Sequence, residues 1–376
     1  MTKKRSKEII DPIKPHTVRK IKLIEKYVDG WARKILGFNG KPGQNPSKGV
    51  IYIDCMSNCG IYYDGEGNII EGTAILVAKK LNDIVSNYPG KNAILIFNDI
   101  SKDRIERLRQ EIADRNLNNI TVYYYNTDCN QLLRELDIKS LNKSHNTLLL
   151  YDPYNASIDW DAIEPYLNQW GEVIINHMVY DTNMNIAHTT APVLLERYKN
   201  TYQGDIETII SKGTSKHELN KTILSIIDNR TLNSNYQHYI AYFPFFNRAN
   251  GLVYYLLHCC VNVEGIKLFK ATAWKTFGDH SSTKDTHGMD SQMSFFSEGC
   301  FGTITDQECY NIHDVAKYVY EKYHNRKEIS LREIYFDLDR HPVFPSDGYK
   351  ADIKKELREI YNVSFPKGQD KAVFND

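Results

Sequence analysis

No apolar run in this chain approaches the roughly 18 residues that a membrane-crossing helix needs, and no apolar leader core follows the first methionine. The expectation is a soluble, cytoplasmic protein with no membrane partner. Cysteine is sparse and odd in number, seven in 376 residues, which argues against a disulfide framework. Cys259 and Cys260 are adjacent in an apolar stretch, where a strand would turn them to opposite faces as core thiols. His177, His188, His258, His280, His287 and His313 have no ligand spacing to one another or to cysteine, so no metal site is expected. Cys55 and Cys59 are four apart but fall in a loop, which gives no redox pair. An excess of one charge is also lacking. Lys+Arg and Asp+Glu both total 47, which removes a global basic field as a sign of nucleic acid or membrane binding.

What charge asymmetry there is lies at the start. Residues 1–26 hold nine Lys/Arg against three acids, a basic arm that reads either as a solvated terminus or as a phosphate-contacting segment. With 41% apolar residues the chain can bury a sizeable core, and its length fits two domains or one large domain with an appendage.

The stretch 50–60, VIYIDCMSNCG, organises the rest. A short β-branched run closes on Asp54 and breaks into small and polar residues, which reads as a buried parallel strand running into a ligand-binding turn. Before it, Val18, Ile21, Ile24, Val28, Trp31 and Ile35 repeat at helical spacing, with Thr17 as N-cap and Gly37 as the stop. After it, strands and helices alternate. Helices are expected at 73–88, 102–116, 129–138 and 159–170, and strands at 93–97, 120–125, 147–151 and 173–176. That alternation predicts an α/β protein with a parallel sheet, helices on both faces and strand C-termini along one edge. Residues 180–235 lose the strand pattern and read as a helical insertion. Runs 239–246 and 252–260, separated by turn residues, read as an antiparallel hairpin, and a parallel sheet closed by such a hairpin is the Rossmann-like, class I methyltransferase arrangement, which plain two-layer folds share.

Helix 263–277 is followed by a polar stretch, 278–305, read as a mobile loop. In 306–376 three helical patterns, one capped by Ser330 with Glu333 as capping-box partner, precede 363–365 and 372–374, which can pair as a wing. The expected divisions are a basic arm and first helix (1–37), the α/β domain (38–277), the loop, and a winged-helix-like module (306–376).

Ligands of wound α/β sheets bind beyond the strand C-termini. Asp54, Asp99, Asp128 and Asp152 each stand at or just past such an end. An acid after the second strand can accept ribose hydroxyls, one after the third can accept an adenine amine, and the first turn needs small residues close to the ligand. No Gly-x-Gly-x-x-Gly follows the first strand, so the set points to S-adenosylmethionine rather than a dinucleotide, with Asp54, Asn58, Gly60, Asp99 and Asp128 as cofactor-binding candidates. The plainer alternative is that each acid caps the helix that follows.

The chain also resembles a family, the bacterial three-Cys-motif partner proteins. The resemblance runs over about residues 16–277. It is carried by Lys20 to Trp31, Tyr52-Ile53-Asp54 with Gly60 and Gly72 to Leu76, Asp99 with Arg104 and Leu108, Asp152-Pro153-Tyr154 with Trp160, Tyr254 to Leu257, and Gly265 to Lys275. It implies a methyltransferase fold with a small helical domain, a three-Cys-motif protein as partner, and a bacterial defence or mobile-element setting. Where that family reads Asp-Gly-Phe-Ala-Gly-Pro-Gly, this chain has Asp54-Cys55-Met56-Ser57-Asn58-Cys59-Gly60. Asn58 tolerates positive φ, but its side chain occupies space a cofactor tail would use. Asp152-Pro153-Tyr154-Asn155 also resembles the Asp/Asn-Pro-Pro-Tyr/Phe motif of amino-methyltransferases, which makes Asp152, Pro153 and Tyr154 the catalytic candidates. Three functions compete: methyl transfer to nucleic acid or a partner protein, a non-catalytic scaffold of the same fold, and a metal-dependent nuclease using the clustered acids.

Overall fold

A computed structural model describes residues 9–40, 45–232, 236–284 and 309–375. The chain opens with β1 (Asp11–Pro12) and α1 (Pro15–Leu36). The α1 N-cap is Lys14 rather than Thr17, because Pro15 and His16 already hold helical geometry and proline is well suited to a first helical position. The organising strand is β2 (Gly49–Asp54), buried at all six positions. A hairpin that the alternation does not announce comes next, β3 (Ile61–Tyr63) and β4 (Ile69–Glu71). Its turn, Asp64 to Asn68, is closed by the Asp64 carboxylate accepting from the Glu66 and Asn68 amides.

Then come α2 (Thr73–Val85), β5 (Asn92–Asn98), α3 (Lys102–Ala113), β6 (Thr121–Tyr125), α4 (Cys129–Glu135), α5 (Ile138–Leu141) and β7 (His145–Tyr151). The helix expected over 159–170 is only α6 (Trp160–Ile163) with a 3-10 turn to Tyr166, since Pro165 has no amide to continue the ladder. Strand β8 (Gly171–Met178) completes the parallel set. The insertion is helical: α7 (Val179–Asn185), α8 (Pro192–Tyr202), α9 (Ile206–Ser211) and α10 (Lys216–Leu232). Strands β9 (Tyr239–Phe246) and β10 (Leu252–Cys260) form the expected hairpin, and α11 (Val263–Phe277) packs back on it.

The main sheet has the order β6-β5-β2-β7-β8-β10-β9, parallel from β6 to β8, with β10 antiparallel to both its neighbours. Two apolar clusters sandwich it. One holds α1, α2, α3 and α11 side chains, the other those of α6, α8 and α10. Cys260 falls in the first and Cys259 in the second, as their adjacency predicts.

The C-terminal part contains α12 (Ile312–Tyr323), β11 (Glu328–Ser330), α13 (Leu331–Arg340), α14 (Lys350–Tyr361), β12 (Val363–Ser364) and β13 (Lys371–Phe374), with sheet order β11-β13-β12. Ser330 does cap α13, accepting from the Glu333 amide at 3.1 Å, but the Glu333 carboxylate pairs with Arg326 instead of returning to close a box. The reciprocal box is at Asn311 and Asp314. This part is anchored to α11. Trp274 is fully buried and its indole N–H donates to the Val343 carbonyl at 3.0 Å. Of the expected loop, 285–305 lie outside the described residues. Its start is not free, because Ser281, Ser282 and Thr283 are buried and Thr283 Oγ1 accepts from the Phe246 amide. Among the described residues no helix is long and apolar enough to cross a membrane.

Candidate functional site

The C-terminal ends of β2, β5, β6, β7 and β8 meet in two adjoining clefts rather than one crevice. The first, about 610 Å³, has Asp99, Ile100, Arg104, Thr127, Asp128 and Cys129 on its wall; the second, about 370 Å³, has His16, Lys20, Tyr62, Asp152, Asn176 and Tyr254. Asp11, Met56 and Tyr154 border both. The acids at the strand ends therefore do not share one pocket: Asp99 and Asp128 line the first cleft, and Asp152 with Pro153 the second. The division arises because β2 lies between β5 and β7, so its turn stands as a ridge between their tips.

Asp54 lines neither cleft: it is 3% exposed beneath the turn and accepts from the Met56 amide at 3.3 Å. Burial, and next the Asp152 carboxylate, push its acid up to about 7. Asn58 does adopt positive φ, at 57°. Its amide N–H donates to Asp99 Oδ2 at 3.0 Å, its carboxamide oxygen accepts from the Cys59 amide at 2.7 Å, and its Nδ2 donates to Asp11 Oδ2 at 3.2 Å. Gly60, at φ 76°, packs closely against α3, since a Cβ there would meet Leu108 Cδ1 at 2.5 Å.

Asp99 is 5% exposed, and its other oxygen accepts from the Ser101 amide at 2.8 Å. Each carboxylate oxygen keeps a second lone pair for a ligand hydroxyl. Asp128 behaves as the plainer alternative predicts, capping α4 by accepting from Asn130 and Gln131 amides at 2.9 and 3.1 Å. Between Asp99 and α3 stands Ile100, 76% exposed at the edge of the first cleft.

The ridge between the clefts carries a hydrogen-bonded strap. β1 pairs in parallel with β3, which holds Asp11 over the turn. Asp11 Oδ2 accepts from Arg104 at 2.9 Å, and Arg104 also donates to Tyr154 Oη at 2.8 Å. Burial pushes the Tyr154 phenol up to about 12, with Arg104 opposing, so it remains a neutral hydroxyl. In the second cleft Asp152 is ion-paired with Lys20 and accepts from Asn176 Nδ2 at 2.6 Å. Lys20 thus turns inward instead of serving an exposed basic arm, and Arg19 likewise donates to the Thr283 carbonyl.

Sequence reasoning missed Asp11, Ile100 and the role of Lys20. The signal for Lys20 was its place four residues after His16, on the same α1 face. Reasoning along the chain also missed a cluster away from both clefts. Glu172, His258 and Cys260 bring ligand-type atoms within 4.8 Å of one another. His258 and Cys260 are two apart and share a strand face. There His258 Nε2 is hydrogen-bonded to the Glu172 carboxylate and to Tyr27 Oη, each at 2.9 Å, and the Cys260 thiol donates to the Asn262 carbonyl at 3.1 Å.

No protein-family model and no curated protein matches the chain. Among solved structures it is similar to an rRNA methylase from Streptococcus thermophilus, at 10% identity and TM-score 0.30 over 62% of this chain and 92% of that one. It is similar also to the Legionella pneumophila protein LPL1258, at 12% and 0.37 over 68% and 92%. A third likeness is to the bifunctional kinase-methyltransferase WbdD, at 10% and 0.33 over 64% of this chain. That match spans only 38% of WbdD. The fold rests on the chain's own strand order, with its parallel set closed by an antiparallel hairpin, and that order is the one of class I methyltransferases.

Proposed function

We propose that this chain is a methyltransferase-like protein of the three-Cys-motif partner type that binds S-adenosylmethionine in the first cleft. The observation that carries the reading is Ile100. An isoleucine left 76% exposed directly after the Asp99 strand end gives a purine an apolar face to lie on. Asp99 would take the ribose hydroxyls and Asp128 the adenine amine, with the 54–60 turn toward the methionine end. S-adenosylmethionine, when bound, supplies an electrophilic methyl group. The protein's part is to hold an acceptor in line with it, with Asp152, Pro153 and Tyr154 facing the acceptor. That acceptor is read as nucleic acid or a partner protein. Residues 306–376, read as a winged-helix-like module, are the recruiting surface, in a bacterial defence or mobile-element setting.

Titration calorimetry tests this. Heat of binding with S-adenosylmethionine, and its loss by at least tenfold in affinity in Asp99→Ala, are expected. No heat at millimolar ligand together with an unaltered melting temperature would remove the reading, and undiminished binding by Asp99→Ala would remove the site assignment.

A second reading is favoured by the strap. Asn58, Asp11, Arg104 and Tyr154 join across the place where the methionine end would pass between clefts. A non-catalytic scaffold needs no passage there. Asn58→Gly removes the carboxamide while keeping the positive φ, and it is expected to tighten S-adenosylmethionine binding about tenfold. An unchanged dissociation constant would show that the strap does not limit entry.

A further inference from the structure

A buried side-chain cluster lies toward the N-terminal edge of the parallel strands, opposite the edge that carries both clefts. The register of β8 and β10 builds it. Cys260 stands directly across from Glu172, and His258, two residues before Cys260, shares its sheet face. Tyr27 reaches the same place from α1, with its Oη 2.9 Å from His258 Nε2 and hydrogen-bonded to the Glu172 carboxylate. Glu172, His258 and Cys260 thus offer an oxygen, a nitrogen and a sulfur atom within 4.8 Å of one another. Spacing along the chain hides the set, because Glu172 and His258 are 86 residues apart.

Two observations separate this cluster from an ordinary polar network. The first is charge. Tyr27, His258 and Cys260 are buried, the Glu172 side chain is 14% exposed, and among the described residues the ion-pair partner of Glu172 is His258. His258 Nδ1 is buried without a partner, so protonating the ring would bury a charged N–H that nothing accepts. A metal on Nε2 keeps the ring neutral and supplies the positive charge itself. The second is the roof. A Cβ at Gly265 would meet Cys260 Sγ at 2.9 Å and Glu172 Oε1 at 3.2 Å, so the first turn of α11 closes directly on two of the ligand atoms.

Charges in a core are paired or coordinate metals, and a dication held by a carboxylate and a thiolate is a neutral unit. Sulfur and imidazole ligands disfavour calcium and magnesium, which take oxygen, whereas a closed set of mixed ligands suits tetrahedral zinc. We infer that Glu172, His258 Nε2 and Cys260 hold one zinc ion, with the Tyr27 oxygen as fourth ligand, and that the ion pins α1 to the β8–β10 pair. The Cys260 thiol proton, donated to the Asn262 carbonyl in the structure, passes to solvent as the metal binds. None of the four residues lines either cleft, so the ion is structural and independent of the S-adenosylmethionine reading.

Metal analysis of the intact chain, expressed with zinc in the medium, is expected to find about one zinc per chain. Cobalt incorporated during expression in minimal medium is the spectroscopic probe. A thiolate charge-transfer band in the near ultraviolet, together with the intense visible bands of tetrahedral cobalt, is the expected signature. Cys260→Ser should abolish the charge-transfer band, whereas Cys259→Ser, on the opposite sheet face, should retain it. Glu172→Gln, nearly isosteric, should weaken zinc binding at least tenfold. Zinc under about a tenth of an equivalent in the wild-type chain, a cobalt spectrum without the thiolate band, a band that survives Cys260→Ser, or unweakened zinc binding by Glu172→Gln would each overturn the inference. The wild-type measurements and Glu172→Gln decide even if Cys260→Ser fails to fold.

Discussion

Replacing Lys270 by methionine is expected to cost about 3 kcal/mol of stability, the largest loss anticipated from a single exchange outside the clefts. Lys270 lies on α11 and is fully buried. Its ammonium donates to the carbonyls of Leu338, Asp339 and His341 at 2.6, 3.0 and 2.7 Å. Those are carbonyls at the end of α13, where helical hydrogen bonding runs out and the macrodipole is negative. Burial pulls the ammonium down to about 7, and Asp339 and Asp347 pull the other way. Methionine fills the volume but donates nothing, so the Asp339 and His341 carbonyls would lose this donor and the Leu338 carbonyl would be left with the His341 amide at 3.2 Å, at the junction between α11 and the C-terminal part. Urea unfolding followed by tryptophan fluorescence suits the measurement, because the buried Trp274 lies on the same helix. Lys275→Ala, at a side chain 55% exposed, is the control and should change stability by less than about 0.5 kcal/mol. If Lys270→Met costs under about 1 kcal/mol, the triple cap is not what holds the two parts together.

The second large effect depends on pH. Asp54 titrates near 7 in the folded chain against an ordinary 3.8. Between those values the folded state binds more protons than the unfolded one, so stability falls as pH rises from about 4 to about 7 and is level above that. The gap corresponds to on the order of 4 kcal/mol as an upper bound. Asp54→Asn keeps an acceptor for the Met56 amide and removes the ionisation. Its melting temperature should match that of the parent chain near pH 4, exceed it increasingly toward pH 7, and stay above it by a constant amount beyond. A difference that does not change with pH would mean that Asp54 ionises freely.

The strands and most helices were legible because their signals are local. Val50 to Ile53 is apolar at successive positions, as a strand buried on both faces must be, and the 239–260 hairpin has two such runs about a turn. The errors were also local in origin. Thr17 looks like a cap only if Pro15 and His16 are taken as extended, and 159–170 looks helical only if Pro165 is overlooked. The β3–β4 hairpin was missed because three-residue strands give too few positions for an alternation to show. Asn58 was read correctly as a positive-φ residue, since that property belongs to the residue itself. Its bond to Asp11 was out of reach, because it joins positions 47 residues apart.

What the sequence determined by itself is the sheet, its hairpin closure and the acids at its tips, all consequences of periodicity and turn chemistry acting over a few neighbours. What only the tertiary structure decided is the work each acid does. Asp54 is sealed beneath its turn, Asp128 caps a helix, and Asp99 holds the Asn58 backbone. Asp152 is neutralised by a lysine 132 residues earlier. The physical reason is that a carboxylate's charge state and free lone pairs are set by the dielectric and the donors within a few ångströms of it. Those neighbours come from segments whose meeting is fixed by the packing of the whole chain.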